Sequence, residues 1–259
     1  LDTFVGGRMA GYATDRDRPD LDGTSRLSPD LRMGLLSPAQ CVARALEAVR
    51  DDGRRREGAD KWIGELAWRD FYAGILDENP HVARAAHRPA FRDLEWNDDP
   101  EGFEAWRAGR TGYPIVDAGM RQLAETGWMH NRVRMIVASF LVKDLLIDWR
   151  AGERHFFDAL VDGDPASNNG GWQWAASTGT DAAPHFRIFN PTSQGERYDP
   201  RGDYVRRYVP ELSGLAGAAV HRPWEAPLAA SGYPAPIVDH AERRRIALER
   251  YARAAGRRG

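Results

Sequence analysis

Four side chains capable of binding chemistry share one face of a helix predicted for residues 60–78. They follow the spacing i, i+3, i+4 and i+7 and supply a carboxylate, an indole, a guanidinium and a phenol: Glu65, Trp68, Arg69 and Tyr72. This mixture suits a ligand that has both flat surfaces and hydrogen-bonding groups. The alternative is a packed tryptophan beside an ordinary ion pair, and this helix alone leaves both interpretations open.

A second candidate is the stretch GDPASNNGGWQWAASTGTD, residues 163–181, which has two indoles one residue apart. Its residues 168–171 are Asn-Asn-Gly-Gly, which are poor helix formers and good turn formers. We therefore expect a polar loop that leads into Trp172 and Trp174 and forms the wall of a pocket. A buried turn with two core tryptophans is the alternative.

Two carboxylates stand at the start of that stretch, on either side of a glycine. Asp162 and Asp164 only accept hydrogen bonds when ionised, so they suit a ligand rich in N–H and O–H donors better than a phosphate. A turn held by Asx hydrogen bonds would explain the same two residues equally well.

Hydroxyl groups cluster in GTSRLSP, residues 23–29. Ser28 before Pro29 reads as the N-cap of a helix, whose free N–H groups and positive dipole end favour an anion such as a phosphate. Capping accounts for Ser28 but leaves Thr24 and Ser25 without a role. The segment is therefore a candidate phosphate site.

Aromatic and polar residues also meet in GWMHNRVRM, residues 127–135, where a buried helix is predicted to begin. Packing explains that cluster poorly, but His130 alone is typical of a satisfied core histidine and receives no catalytic role. Among the nine tryptophans of the chain, Trp96 and Trp149 stand in polar contexts. Indoles are oxidisable, so such residues could serve as electron stepping stones, although most tryptophans are packing residues.

Helices are predicted to position all of these groups. Ser37 followed by Pro38 begins one helix, and Pro114 and Gly127 bound another. A third, from about residue 131 to 147, is apolar nearly all round, as expected of a buried helix. In the helix 60–78, the predicted core side is the stripe Ile63, Ala67, Phe71, Gly74 and Ile75.

The tail from about Asp239 reads as a basic surface helix that ends near Gly256, and its arginines are typical of a solvated face. Alternating apolar patterns and hairpin signals are close to absent. The prediction is an all-α fold in one helical domain, residues 1–259.

Composition restricts the function further. The net charge is -2, from 36 basic and 38 acidic residues, so no global field favours nucleic acid or membrane, and any basic face must be local. With Cys41 as the single cysteine and seven histidines without ligand spacing, we expect no disulfide framework and no metal. The longest mostly apolar run, residues 135–142, is too short to cross a bilayer, so we expect no membrane partner.

Four long motifs follow one another along the chain: YATDRDRPDLDGTSRLSPDLRMGLLSP, KWIGELAWRDFY, TGYPIVDAGMRQLAETGWMHNRVRMIVASFLVKDLLIDWR and DGDPASNNGGWQWAASTGTDAAPHFRIFNPTSQ. In this order they resemble the flavin-binding domain of the photolyase/cryptochrome family, most of all its bacterial (class I) members that repair cyclobutane pyrimidine dimers. The resemblance covers about residues 12–238. It implies an all-α domain that binds FAD beside a cavity facing DNA.

The resemblance also implies which residues hold FAD. Segment 24–28 would cradle the diphosphate, residues 162–164 would face the ribityl and flavin groups, and Asn168 would sit by flavin N5. The implied set is Tyr12, Thr24, Ser25, Arg26, Leu27, Ser28, Trp62, Arg69, Trp128, Asn131, Arg134, Asp162, Gly163, Asp164 and Asn168.

A second implied set contacts UV-damaged DNA. The flipped-out dimer would meet Glu65, Trp68, Asn131, Met135 and Trp174. The DNA strand would meet Arg16, Arg132 and Gln194, and the same face includes Arg69 and Tyr72. On this interpretation Trp172 looks inward to the flavin and Trp174 outward to the lesion, where an indole plane can stack on an unstacked base.

The implied reaction is driven by light: excited, reduced, anionic FAD passes an electron to the dimer, the cyclobutane ring splits, and the electron returns. Glu65 and Asn168 would serve the reaction, and Trp172, Trp149 and Trp96 would relay electrons to the surface. The same resemblance implies a monomer in the bacterial cytoplasm, associated with the nucleoid when DNA is bound.

A cryptochrome-type blue-light photoreceptor is the alternative function. Asn168 beside N5 and the pair Trp68 and Trp174 favour repair. Family members also have an α/β antenna domain ahead of this region, and nothing in these residues corresponds to it. No antenna chromophore is therefore expected in this chain.

Overall fold

Every regular element in the described part of the chain is helical. The computed structural model describes residues 1–180 and 187–256; part of the stretch 163–181 and of the motif that contains it therefore lies outside the described residues. Within the described ranges no strand is present, and the predicted all-α fold is confirmed. The α-helices are α1 (Asp2–Gly6), α2 (Tyr12–Asp15), α3 (Ser28–Arg32), α4 (Pro38–Asp51), α5 (Arg56–Glu78), α6 (Pro100–Arg107), α7 (Pro114–Thr126), α8 (Asn131–Ser139), α9 (Trp149–Ala159), α10 (Pro165–Ala176), α11 (Pro191–Tyr198), α12 (Asp203–Tyr208) and α13 (His240–Gly256).

Two apolar cores lie side by side. One joins α1, α2, α4 and the first half of α5, and the larger one joins α7 to α10 with α12. Because α5 packs against both α4 and α10, it connects the two cores. Residues on the faces of α5 and α10 that point away from these cores therefore lie where the two cores meet.

The predicted helix start at α4 is confirmed, and the one at α3 is wrong. The Ser37 hydroxyl accepts a hydrogen bond from the Gln40 N–H, and the Gln40 side chain accepts one from the Ser37 N–H, which forms a capping box. Ser28 is instead the first residue of α3, and Leu27 occupies the N-cap without side-chain capping. Since α3 has only five residues, the helix-dipole argument for a phosphate does not apply there.

The predicted core side of α5 is also wrong. The helix begins at Arg56 and buries Trp62 and Leu66, whereas Phe71 of the predicted stripe is 43% exposed. Trp62 packs on Phe4, with ring centroids 5.0 Å apart. Because an indole buries more area than the small and branched residues of the stripe, its packing decides which way the helix faces.

α7 and α8 follow the predicted order, with one difference in the backbone. α7 begins at Pro114 and ends before Gly127, whose φ of 65° is left-handed as a helix C-cap requires. α8 is buried as expected but ends at Ser139, and a π-helix, Phe140–Asp144, replaces the predicted continuation to residue 147. The wider turn buries two adjacent charged residues, Lys143 and Asp144, each with partners on a different element.

Residues 165–176 form helix α10, so the predicted polar loop is wrong. Pro165 occupies the first turn, and Asp164 Oδ1 accepts a hydrogen bond from the Ser167 N–H, which is a strong start signal. Gly170 lets the helix approach the ring of Tyr72 more closely than any side chain would allow. Tertiary packing and capping thus outweigh the low helix propensity of residues 168–171.

α13 is the helix predicted for the tail, but its arginines are more than a solvated face. Arg243 Nε donates to the Asp144 carbonyl at 2.6 Å, and Arg250 Nη1 donates to the Glu95 carbonyl at 2.8 Å. The buried Tyr251 hydroxyl donates to the Ala176 carbonyl at 2.7 Å. The helix therefore connects the end of α10, the π-helix and the segment before α6.

Candidate functional site

Three arginines from different parts of the chain converge on residues 162–164. The contacts are Arg134 Nη2 to both carboxylate oxygens of Asp162 (2.8 and 3.1 Å), Arg32 Nε to the Gly163 carbonyl (2.7 Å) and Arg69 Nη2 to Asp164 Oδ2 (3.4 Å). The Asp162 carboxylate is almost fully buried, so its charge depends on a paired cation. The turn before α10 is thereby held against α3, α5 and α8.

Three more contacts bring the N-terminal segment to the same place. They are Arg16 Nη1 to Glu65 Oε1 (2.5 Å), Trp62 Nε1 to Ser25 Oγ (3.3 Å) and the Arg26 guanidinium over the Trp128 ring (5.0 Å to the centroid). Several of the residues predicted to hold a cofactor are therefore in contact in pairs, although they come from separate segments of the sequence: Ser25 with Trp62, Arg26 with Trp128, Arg69 with Asp164 and Arg134 with Asp162.

The hydroxyl segment 24–28 has an unusual backbone. Arg26 has a φ of 55°, a left-handed value that costs energy for any residue other than glycine. Ser25 Oγ accepts a long hydrogen bond from the Leu27 N–H at 3.4 Å. The hydroxyls of Thr24 and Ser28 have no hydrogen-bond partner among the described residues, so they are available to a ligand.

An exposed aromatic surface lies on α5. Trp68 is 47% exposed, and its ring lies 5.4 Å from Phe71 edge-on and 5.7 Å from Tyr72. On α10, Trp174 is half-buried and packs on Phe189, with centroids 6.2 Å apart. Because the exposed rings of Trp68 and Phe71 adjoin, they form an apolar patch, and such patches are candidate interaction sites.

Two of the three residues predicted to contact the DNA strand, Arg132 and Gln194, lie on α8 and α11. Arg132 Nη2 donates to Asp17 Oδ1 at 2.8 Å, and the Arg132 guanidinium stacks 4.4 Å from the Tyr198 ring centroid. Gln194 is half-buried on α11, and its Oε1 is buried without a partner among residues 1–180 and 187–256. Asn131 is exposed at the start of α8.

Asn168 has a fixed amide. Its Nδ2 donates to the Glu153 carbonyl at 2.9 Å, which leaves Oδ1 as the acceptor it can offer to a ligand. Burial raises the pKa of the Glu153 carboxyl, and Asn169 donates a hydrogen bond to it. A groove of about 200 Å³ adjoins Asn168 on this side, smaller than the roughly 300 Å³ at which ligand pockets begin, and we assign no ligand to it.

The three tryptophans of the predicted relay are packed residues. Trp172 and Trp149 are each 2% exposed in the larger core, and Trp96 is half-buried beside it. Trp172 meets Trp106 at 6.1 Å and Phe156 at 5.0 Å, both edge-on. The argument from polar sequence context is therefore wrong, because polar chain neighbours do not prevent an indole from pointing into a core. The relay itself stays a prediction.

Burial controls the protonation of two groups near the site. It raises the pKa of Tyr12 to about 12, partly opposed by the positive charge of Arg16, so the phenol stays protonated. Burial also lowers the pKa of His130 to about 4, and its Nδ1 accepts the Arg132 N–H at the start of α8. His130 is thus a neutral, buried histidine as expected, but the expectation that it is satisfied is wrong: its Nε2 is buried without a hydrogen-bond partner among the described residues.

Sequence reasoning missed two residues of this region, Asp17 and Tyr198, both of which contact Arg132. The alternation of acidic and basic residues in TDRDRPD could have indicated paired charges, but nothing in the sequence indicates which arginine pairs with which carboxylate. Met135 is half-buried one turn after Asn131 and has no polar contact that would test its role.

Two further findings concern metals and membranes. In residues 1–180 and 187–256, no group of three or more His, Cys, Asp or Glu side chains is placed to hold a metal ion. No helix among these same residues has the length and apolar character needed to cross a membrane.

Comparison with known proteins agrees with this geometry. The sequence profile of the FAD binding domain of DNA photolyase matches residues 62–253. A deoxyribodipyrimidine photo-lyase of Vibrio cholerae is 53% identical over 258 residues, which are 99% of this chain and 55% of that protein. The chain thus spans about half the length of the curated relatives it matches.

Solved structures give the same result. A bacterial class III photolyase from Agrobacterium tumefaciens superposes with a TM-score of 0.90 at 48% identity, covering 98% of this chain and 54% of that one. A Synechocystis cryptochrome superposes with a TM-score of 0.88 at 36% identity, covering 96% and 53%. The chain therefore belongs to the DNA photolyase family, of which it carries the FAD-binding domain.

Proposed function

We propose that this chain is the catalytic part of a deoxyribodipyrimidine photo-lyase, which repairs cyclobutane pyrimidine dimers in DNA with light. The observation that carries the proposal is the exposed aromatic surface of α5 beside the buried arginine–carboxylate junction at residues 162–164. The first is suited to an unstacked base and the second to a polar cofactor. Relatives named for this activity are about half identical to the chain along nearly its whole length.

FAD fits the residues present. The unpartnered hydroxyls of Thr24 and Ser28 suit phosphate oxygens, and the oxygens of Asp164 and Asn168 suit the N–H and O–H donors of a flavin and its ribityl chain. When bound and reduced, FAD supplies an electron donor that light can excite. The chain's own residues bind it, orient it and exclude water around it.

Arg134 and Arg69 fix the orientation of the hydrogen-bond acceptors at residues 162–164. Because each guanidinium is paired with a carboxylate of residues 162–164, the acceptors keep one orientation before any ligand arrives. Such preorganisation reduces the reorganisation that binding requires. Tyr12, Trp62 and Trp128 add apolar walls from the other side.

The lesion would lie against the exposed aromatic surface of α5. Trp68 and Trp174 offer ring planes, and Glu65 offers a carboxylate that can accept hydrogen bonds from the N–H groups of a pyrimidine pair. Arg16 donates its hydrogen bond to Oε1 of Glu65, which leaves Oε2 to accept hydrogen bonds from a ligand. Asn131, Met135, Arg132 and Gln194 complete the proposed contact set.

We also propose the relay Trp172, Trp149, Trp96, in that order, as a route for electrons between the cofactor site and the surface. Trp172 and Trp149 share one core, and Trp172 packs directly on Gly152 of the helix that Trp149 begins. Trp96 is the most exposed of the three. These placements support the order of the proposed relay.

Blue-light sensing is the second candidate, supported by the structural similarity to a cryptochrome. The two candidates differ in one readout. A photoreceptor needs the cofactor and the relay, whereas repair also needs the aromatic surface and Glu65. We further propose that residues 1–259 act as one helical unit, as a monomer, in the bacterial cytoplasm and nucleoid.

The deciding experiment combines an absorption spectrum with a repair assay. The purified chain is reconstituted with FAD, reduced chemically, mixed with a thymine-dimer oligonucleotide and illuminated, with a dark sample as control. Light-dependent loss of dimers supports repair. A flavin-loaded chain that photoreduces but leaves the dimers intact supports sensing, and a folded chain that takes up no FAD contradicts both.

A further inference from the structure

Both arginines assigned to the DNA strand are already neutralised by carboxylates of this chain. Arg16 pairs with Glu65, and Arg132 pairs with Asp17. Arg132 reaches Asp17 Oδ1 with two nitrogens, Nη2 at 2.8 Å and Nε at 3.3 Å. The side chains of Arg132 and Asp17 are 16% and 37% exposed, so the pair sits at the edge of the surface, where a phosphate could reach it.

A second arginine lies beside Arg132. The Arg132 guanidinium lies over the Tyr198 ring at 4.4 Å from its centroid, and the guanidinium of Arg197 lies 5.2 Å from the same ring. Arg197 is exposed and has no ion pair among residues 1–180 and 187–256. Within those residues Asp17 is the carboxylate that pairs with Arg132.

We propose that Asp17 masks Arg132: its carboxylate competes with DNA phosphates for the guanidinium and so lowers the affinity of the chain for duplex DNA. The inference rests on the proposed repair function. A phosphate that approaches must displace a partner already hydrogen-bonded, and exchanging one anion for another gains little. While Arg132 stays paired with Asp17 it neutralises no phosphate, so it releases none of the ions condensed on DNA.

Damaged and undamaged duplexes are affected alike, because both present the same backbone phosphates to Arg132. A flipped-out dimer gains the contacts of the aromatic surface, which do not depend on Arg132. These contacts add to the affinity for damaged DNA without changing the cost that Asp17 imposes. Asp17 thus lowers both affinities by a similar factor and leaves their ratio nearly unchanged.

The test compares Asp17→Asn with Asp2→Asn. Both changes raise the net charge by one, and Asp2 pairs with Arg44 on a surface that contains none of the residues assigned to DNA. Affinities for an undamaged duplex and for a thymine-dimer duplex are measured over a range of salt concentrations. For Asp17→Asn we expect tighter binding of both duplexes by a similar factor and a log–log salt slope steeper by about 0.9.

Arg132→Gln provides a second measurement that does not need the Asp17 variant to behave well on its own. With Asp17 present, Arg132→Gln should change the log–log salt slope for undamaged duplex by much less than about 0.9. In the Asp17→Asn background the same substitution should change that slope by the full amount, about 0.9. Circular dichroism and thermal melting confirm that each variant is folded.

The outcomes separate the two proposals. If Asp17→Asn behaves like Asp2→Asn, the Asp17 inference is wrong while the repair function stands. If the unmodified chain binds both duplexes equally, the repair function fails, and the salt slopes still decide whether Asp17 masks Arg132. If Arg132→Gln shows the full slope change with Asp17 present, the arginine is not masked and the inference fails.

Discussion

Arg134 donates to both carboxylate oxygens of Asp162, at 2.8 and 3.1 Å, across 28 positions of sequence. Removing the cation leaves a buried carboxylate without its partner, which costs on the order of 3–5 kcal/mol. We expect Arg134→Gln to lose FAD retention, measured as the ratio of flavin to protein absorbance after purification. Arg150→Gln, which breaks a surface pair with Asp148, should retain the flavin. Equal flavin content in the two variants would contradict the role of Arg134.

Glu65→Ala should impair repair more than flavin retention. The carboxylate lies on the face of α5 that carries Trp68, and losing one hydrogen bond to a charged group costs about 1.5–3 kcal/mol. We expect weaker binding of dimer-containing DNA and slower repair, with near-normal flavin absorbance. Glu104→Ala, which breaks a surface pair with Arg107, is the matched control. A Glu65 variant that loses flavin but repairs normally once reloaded would place this residue on the cofactor side.

Trp172→Phe should separate light-driven reduction of the cofactor from repair. The side chain is buried and packs on Gly152, so the smaller ring leaves space and costs about 1.5 kcal/mol or somewhat more in stability. With an external donor, photoreduction should nearly vanish, yet chain reduced chemically beforehand should still split dimers.

The matched control for Trp172→Phe is Trp106→Phe. Trp106 lies in the same core and touches Trp172, but it has no place in the proposed relay. It should retain photoreduction despite a similar loss of stability. If Trp172→Phe photoreduces at the original rate, the relay assignment is wrong. If the prereduced variant cannot repair, Trp172 instead serves the pocket.

Two adjacent glycines of α10 should respond in opposite directions. A Cβ at Gly170 would overlap the ring of Tyr72, whereas a Cβ at Gly171 meets nothing within 4 Å. Gly170→Ala should therefore lower the free energy of unfolding and displace Tyr72. Gly171→Ala should raise it by about 0.5–1 kcal/mol, because alanine favours a helix interior. Urea titration of the two variants measures both effects, and equal shifts would contradict the packing of α10 on α5.

His130 should make the fold less stable at mildly acidic pH. Burial lowers the pKa of His130 to about 4, whereas in the unfolded chain it is near 6.5. Between these values the unfolded chain takes up a proton that the folded chain does not, so the contribution present above pH 6.5 is lost as pH falls towards 4. The expected loss is about 2 kcal/mol at pH 5 relative to pH 7.

His130→Gln removes that titration, so its free energy of unfolding should vary less between pH 7 and pH 5 than that of the unmodified chain. Urea denaturation at both pH values provides the comparison. His81→Gln, which changes an exposed histidine on a surface turn, serves as the control. An unchanged pH dependence in His130→Gln would show that this imidazole titrates normally in the folded chain.

The sequence predicted best where a signal depends on the local backbone. Ser37 with Pro38, and Pro114 with Gly127, bound helices because capping and left-handed φ are properties of a few consecutive residues. α10 was mispredicted because its helix depends on contacts of Asn169 and Gly170 with distant residues. No local rule contains those contacts.

The candidate site shows the same difference between local signals and contacts with distant residues. The residue types at positions 65, 68, 162 and 164 made them candidates for polar and aromatic binding chemistry but left packing and turn explanations open, and the family resemblance supplied their roles. Asp17 and the pairing of Arg134 with Asp162 were not predictable, because one sequence with many arginines and carboxylates permits many pairings. Packing selects among them.

The hydrogen bonds that α13 donates to earlier parts of the chain have a consequence for synthesis on the ribosome. Arg250, Arg243 and Tyr251 hold carbonyls of three segments that are translated earlier, at Glu95, Asp144 and Ala176. While a nascent chain still lacks α13, these three donors are absent, although Lys143 can already donate to the Ala176 carbonyl. The segment that bears Trp96 and the turn after Trp174 therefore gain the hydrogen bonds of α13 only after that helix has emerged, well after their own synthesis.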